Sequence, residues 1–296
     1  MTINPSPPTE LVDLVEAYRL ALRSFLDVGH GVSADGYLEQ TCCPGWTVHD
    51  QISHIASLED YFDGGEYPEV ELPNTEHVNS DFARFVEYGV QARRATPTSE
   101  VLAELETLLH NRISTLTNPD LTLESMVRGP GGREITLGDL LGRRLVDLFV
   151  HEQDIREAIG RIGNLDSPAA AHFMHRIVDA FPIVVPKRLD LPAGVSVIVE
   201  STGPVTGRVG VRMAHDEDEN VVAHPLFTGD GVTAATDLAD QGTHPDQEVR
   251  TVTISMSTDA LTRRAAGRRS TADTAYRVVG DEDIAERVLS ALTIIR

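Results

Sequence analysis

The hydrophobic period of this chain changes once, near residue 190, and that change limits the fold more than any single motif. Up to about residue 160 the apolar residues recur at three- and four-residue spacing, the mark of amphipathic helices. Beyond it, "VSVIVES" (195–201), "GRVGVRM" (207–213) and "VRTVTISMS" (249–257) alternate with β-branched enrichment, as strands do. A helical half followed by a mixed half predicts a two-domain chain of α plus α/β class. The expected parts are an all-α bundle over 1–163, a bridging helix and linker over 164–189, and a small α+β domain over 190–296. A length of 296 residues is comfortable for two domains.

Within the helical half, Leu11, Leu14, Val15, Tyr18, Leu22 and Phe25 outline a first helix ending near "GHG" at 29–31. Thr47 followed by Asp50 is a capping box, which predicts a second helix from Val48. Val48, Ile52, Ile55 and Phe62 form its buried stripe, and His54 lies about 100° around from Ile55. An imidazole at that edge is either a packing residue or one arm of a site. A polar loop, "GGEYPEVELPNTE" (64–76), precedes the helical runs "DFARFVEYGVQARR" and "EVLAELETLLHNRISTL". "MVRGPGGREIT" (126–136) reads as a tight loop or small hairpin; it lacks G-K-[ST] and is no phosphate loop. Thr136 and Asp139 cap the last long helix of this half. In the second half one helix and then a Pro-rich junction occupy 164–190, and "TDALTRRAAG" and "DEDIAERVLSALT" are helical in pattern.

Charge narrows the partners. A formal net charge of −21 opposes binding to nucleic-acid phosphate or anionic membrane surfaces. No run approaches eighteen apolar residues, and the start, "MTINPSPPTE", has neither a basic nor an apolar signal region. A cytoplasmic monomer or homodimer is expected. Its two cysteines, adjacent at 42 and 43, bridge only with strain and are too few for a cysteine zinc site. They read as a pair of partly buried thiols, so any thiol chemistry would draw on an external thiol.

Asp147 and His151 stand at i and i+4, hence on one helix face about 6 Å apart. Arg143 lies a turn before them and Asp154 nearly a turn after. With His54 from another helix, the pair would give a divalent metal two nitrogens and an oxygen, leaving a position open as catalytic sites do. Zinc suits such ligands first and nickel second. The competing reading is ordinary: eleven histidines and 46 acidic residues produce such spacings by chance, and Arg143–Asp147 fits a surface ion pair.

The tracts "GWTVHDQISHIASLED" and "GRRLVDLFVHEQDIREAIG" resemble the mycothiol-dependent maleylpyruvate isomerase family. The resemblance implies a DinB-like metal-binding four-helix bundle followed by a sterol-carrier-like α+β domain. It also implies His54, Asp147 and His151 as metal ligands, with Asp147 one methylene shorter than the family's glutamate. "STDALTRRAAGRRS" is similar to the family's A-A-G-R run, which puts a catalytic arginine at Arg268. Without the resemblance, the arginines at 263, 264, 268 and 269 would read as a solvated face. The activity implied is metal activation of mycothiol for cis–trans isomerisation, or for S-transfer to a small electrophilic or unsaturated acid. A thiol-independent metal hydrolase and a non-catalytic binding protein with a structural metal are the alternatives.

Overall fold

The computed structural model describes residues 3–73, 76–228 and 250–295. Asn74 and Thr75 of the expected polar loop, and Val249 at the start of the third expected strand, lie outside them. The chain forms two compact units: Pro8–Ala169, and Met1–Pro7 together with Ala170–Arg296. The stretch expected to bridge the domains groups with the second unit from Ala170 onward. The amino-terminal segment joins it too, because Asn4 and Thr206 exchange backbone hydrogen bonds of 3.0 and 2.9 Å.

The first unit contains α1 (Leu11–His30), α2 (Val48–Phe62), α3 (Asp81–Arg93), α4 (Thr98–Leu116) and α5 (Leu137–Ala158). The Thr47–Asp50 capping box closes in both directions, and Thr136 caps α5 by accepting from the Asp139 N–H. α1 packs on α4 and α5, while α2 packs on α3, α4 and α5. α2 and α5 run in opposite senses, since Gln51 meets His151 and Glu59 meets Arg144. Between α4 and α5, β1 (Met126–Arg128) and β2 (Glu134–Thr136) pair antiparallel, with Val127 opposite Ile135. α2 is buried nearly all round, so His54 belongs to the interior and not to a solvent edge.

The second unit begins with α6 (Pro168–Arg188), most of which lies in this unit. It continues helically past Pro182 and Pro186, where the sequence pattern suggests a junction. These prolines lie four residues apart, so the missing N–H donors fall on one side of the helix. A five-stranded sheet follows in the order β5-β4-β3-β6-β7. Its strands are β3 (Val195–Thr202), β4 (Thr206–His215), β5 (Val221–Leu226), β6 (Arg250–Met256) and β7 (Arg277–Val279). β3 and β6 pair parallel and the other neighbours antiparallel. α7 (Thr258–Ala265) and α8 (Glu282–Ala291) complete the unit. Among the described residues no helix is long and apolar enough to cross a membrane.

The arginine cluster is not a solvated face. Arg263 is only 2% exposed and Arg264 is buried as well. Arg264 caps the end of α8, donating to the carbonyls of Leu289 and Ser290 at 2.8 and 3.0 Å. Arg269 pairs with Asp259 at 2.6 Å. Those carbonyls lie in the last turn of a helix, where intrahelical donors run out; Leu289 also accepts from the Leu292 N–H at 3.1 Å, and the Arg264 guanidinium supplies the further donors. Arg268 is half-buried just after α7, where Gly267 takes a left-handed φ of 69°.

α3 rests on α2 through bare backbone at Gly89: a methyl group there would lie 1.9 Å from Ser57 Oγ and 2.6 Å from Ser57 Cβ. In an open helix alanine would be the better residue by up to about 1 kcal/mol. Here Gly89→Ala is expected to destabilise the protein by about 1–3 kcal/mol through overpacking. Urea unfolding checks this; a midpoint at or above wild type would refute the close approach.

Candidate metal centre

Three side chains from α2 and α5 converge in the first unit. His54 Nε2 lies 3.4 Å from Asp147 Oδ2, and His151 Nε2 lies 3.4 Å from Asp147 Oδ1. The imidazole centroids are 4.6 Å apart, and one ligand atom from each residue can be chosen so that all lie within 4.8 Å of one another. The i, i+4 spacing puts Asp147 and His151 on one face of α5, and the antiparallel pairing brings His54 to meet them. Among the described residues, neither ring nitrogen of His54 makes a hydrogen bond, although the residue is only 3% exposed. A buried polar atom without a partner is costly, so this imidazole fits a ligand position better than a packing position.

His151 is oriented from behind. Its Nδ1 is hydrogen-bonded to Gln51 Oε1 and lies 3.3 Å from Asp154 Oδ2. Gln51 donates through its amide nitrogen to Thr41 Oγ1 at 2.8 Å, which turns its oxygen toward the histidine. Both groups facing Nδ1 are acceptors, so a ring proton sits there and Nε2 is the nitrogen turned toward Asp147. Trp46 covers the pair, with its ring 5.0 Å from His54 and 5.9 Å from His151. Its indole N–H donates to Glu87 on α3 at 2.9 Å.

The electrostatics suit cation binding. Burial pushes the His54 imidazole down to about 4, against the upward pull of Asp147. Burial works in the same direction on His151, but Asp147 and Asp154 outweigh it and leave the ring above its ordinary value. For Asp147, burial would raise the carboxyl; Arg144, His54 and His151 overcome that and hold it well below the usual carboxylate range. His54 and Asp147 are thus held in the protonation states that metal ligands require, whereas His151 would give up a proton on binding a cation.

Arg143, expected beside Asp147, is exposed. The cation is Arg144, whose guanidinium reaches Asp147 at 2.5 Å and Glu59 at 2.7 and 3.0 Å. One residue turns a helix by about 100°, enough to exchange solvent for core. Glu59 carried its own signal: it lies four residues after Ile55 and three before Phe62, on the apolar stripe, and a carboxylate there requires a buried cation. Arg268 belongs to the other unit.

Fold and site together define a class: a helical domain with a buried cluster of two histidines and one carboxylate, joined to an α+β domain. Residues 18–156 match the family model described as the mycothiol maleylpyruvate isomerase N-terminal domain. The match covers a little under half of the chain. Two solved structures are similar to it. A crystal structure of the mycothiol-dependent maleylpyruvate isomerase is 17% identical, covering 93% of this chain and 94% of that one, with a TM-score of 0.49. A histidine-to-alanine mutant of that isomerase is 16% identical, covering 90% and 93%, with a TM-score of 0.48. Among curated proteins nothing matches.

The contrast between neighbouring arginines is measurable. Arg144→Met would strand the buried Glu59 carboxylate and is expected to cost about 3–5 kcal/mol of stability. Arg143→Ala should stay within about 0.5 kcal/mol of wild type. Chemical denaturation of both variants is the check, and equal effects would show that α5 is rotated from the arrangement described.

Proposed function

We propose that this protein is a mycothiol-dependent metalloenzyme acting on a small electrophilic or unsaturated acid, as a cis–trans isomerase or an S-transferase. The observation that carries the reading is the buried His54 imidazole, without hydrogen bonds and facing Asp147 and His151, inside the stretch matching a mycothiol maleylpyruvate isomerase domain. His54, Asp147 and His151 would hold a divalent cation, zinc or nickel. A bound cation of that kind supplies the charge that keeps an external thiol ionised near neutral pH.

The chain's own groups do the rest. Gln51 and Asp154 orient His151, and Trp46 excludes water from the imidazole faces. Arg144 restrains the Asp147 carboxylate, which at 30% side-chain exposure is the part of the cluster open to solvent. Thiol addition to a conjugated double bond, rotation and elimination give the isomerised acid; addition without reversal gives an S-conjugate. Arg268 is the proposed anion partner. A guanidinium stays charged and offers a bidentate fork to the carboxylate or enolate on which negative charge grows.

Protein purified without a histidine tag should contain zinc or nickel, bind mycothiol in calorimetry, and lose that binding on treatment with EDTA while keeping its far-UV helicity. His54→Ala should lose thiol binding. Retention of thiol affinity by the variant or by the chelated protein would overturn the ligand assignment, and thiol-independent turnover would point to a hydrolase. Once a substrate is found, Arg268→Lys is expected to lower kcat about 10²–10³-fold, the scale of a lost oxyanion donor. The exposed Arg277 is the control: comparable small effects of Arg268→Lys and Arg277→Lys would remove the second unit from the chemistry.

A further inference from the structure

Cys42 and Cys43 precede α2 in the loop that carries Trp46, and both point at one carboxylate. Cys42 Sγ lies 3.0 Å from Asp154 Oδ1, and Cys43 Sγ lies 3.3 Å from Asp154 Oδ2. Neither thiol is in a disulfide. Asp154 has no exposed surface, Cys43 is buried and Cys42 is exposed. The group is therefore anchored in the interior and open at one corner.

We propose that Cys42, Cys43 and Asp154 form a second cation site, separate from the histidine cluster and suited to a thiophilic d¹⁰ ion such as zinc or cadmium. The donor set carries the selectivity, because two sulfurs and one oxygen favour soft cations and disfavour magnesium or calcium. The geometry is close to a loaded site. Bonds of about 2.3 Å to sulfur and 2.0–2.2 Å to oxygen put tetrahedral ligand atoms about 3.5 Å apart, and the donors here already approach within 4.8 Å of one another. The loop is held before any ion arrives. Thr41 N–H donates to the Trp46 carbonyl at 3.0 Å, Trp46 N–H to the Cys43 carbonyl at 3.1 Å, and Gln40 bridges Thr47. Loading forms two metal–sulfur bonds and one metal–oxygen bond to Asp154, breaks two S–H bonds and releases the two protons to solvent, with no change of oxidation state. A fourth position is left for water at the open corner beside Cys42.

Asp154 makes the two sites neighbours, since its Oδ2 also faces His151 Nδ1 at 3.3 Å. The second site nevertheless has its own spectroscopic signature. Titration of the reduced, metal-free full-length chain with cadmium should produce a thiolate-to-cadmium ultraviolet band that saturates within two equivalents, the histidine cluster taking up the other. The band should survive in the His54→Ala/His151→Ala double variant, whatever happens to mycothiol binding there. Cys42→Ser, a change at an exposed position, should weaken the band, and the double serine variant should abolish it. Asp154→Asn, nearly isosteric, should lower cadmium affinity about tenfold or more. Absence of the band in the wild type, its loss in the histidine variant, or an Asp154→Asn affinity equal to wild type would each overturn the three-residue site.

Discussion

Glu59 on α2 is completely buried, and groups from three other helices converge on it. Tyr18 of α1 donates its hydroxyl to Oε2, Arg144 of α5 clamps Oε1 through two nitrogens, and Arg112 of α4 stands 3.7 Å away. An isolated carboxylate so placed would be intolerable, and the surrounding donors are what permit it. The interaction also fixes how the helices are phased. If α5 slid or turned by one residue, Glu59 would lose the guanidinium and Asp147 would be carried away from His54, its i, i+3 pair with Arg144 moving with the helix. Hydrophobic packing tolerates small slips of this kind; a buried charge with directional partners does not. The alignment of His54 with Asp147 and His151 therefore depends on a contact one layer beneath them.

That layer was poorly legible in the sequence, whereas the surface of the problem was readable. Capping boxes and hydrophobic period located α2 and α5, since both are local properties of the chain. The spacing of Asp147 and His151 placed them on one face for the same reason. What local reasoning lacked was the rotational phase of α5 in the core, and so it favoured Arg143 over Arg144. The arginines after β6 show a related failure. Charge alone pointed to solvent, but Arg264 serves carbonyls at the end of α8 that lie twenty-five residues or more further on. Side chains that satisfy distant backbone are invisible until the fold brings that backbone to them.

The imidazoles of the candidate centre lie deep and the carboxylate lies at its mouth. His54 and His151 are each under 10% exposed, while the Asp147 side chain reaches 30%. The imidazole ligands are thus shielded beneath Trp46, and the carboxylate meets incoming molecules first. Asp147 is also held by Arg144, so its charge is partly neutralised before any cation is present. This tempers the attraction for stray cations at a site with only one carboxylate of its own.

The pairing of Asn4 with Thr206 gives the chain an unusual order of assembly. The helical unit is one continuous stretch, whereas the α+β unit is assembled from both sides of it. During synthesis the segment around Asn4 emerges before its partner strand and must wait for it, with the whole helical unit made in between. Closing so long a loop with an unfolded chain is entropically unfavourable, although the cost grows only slowly with length. A helical unit that has already folded brings the ends of the interval under structural control and shortens the effective search. In terms of chain order the helical unit is an insertion within the α+β unit, and a splint of this kind works only if the insertion folds before the strands on either side of it pair.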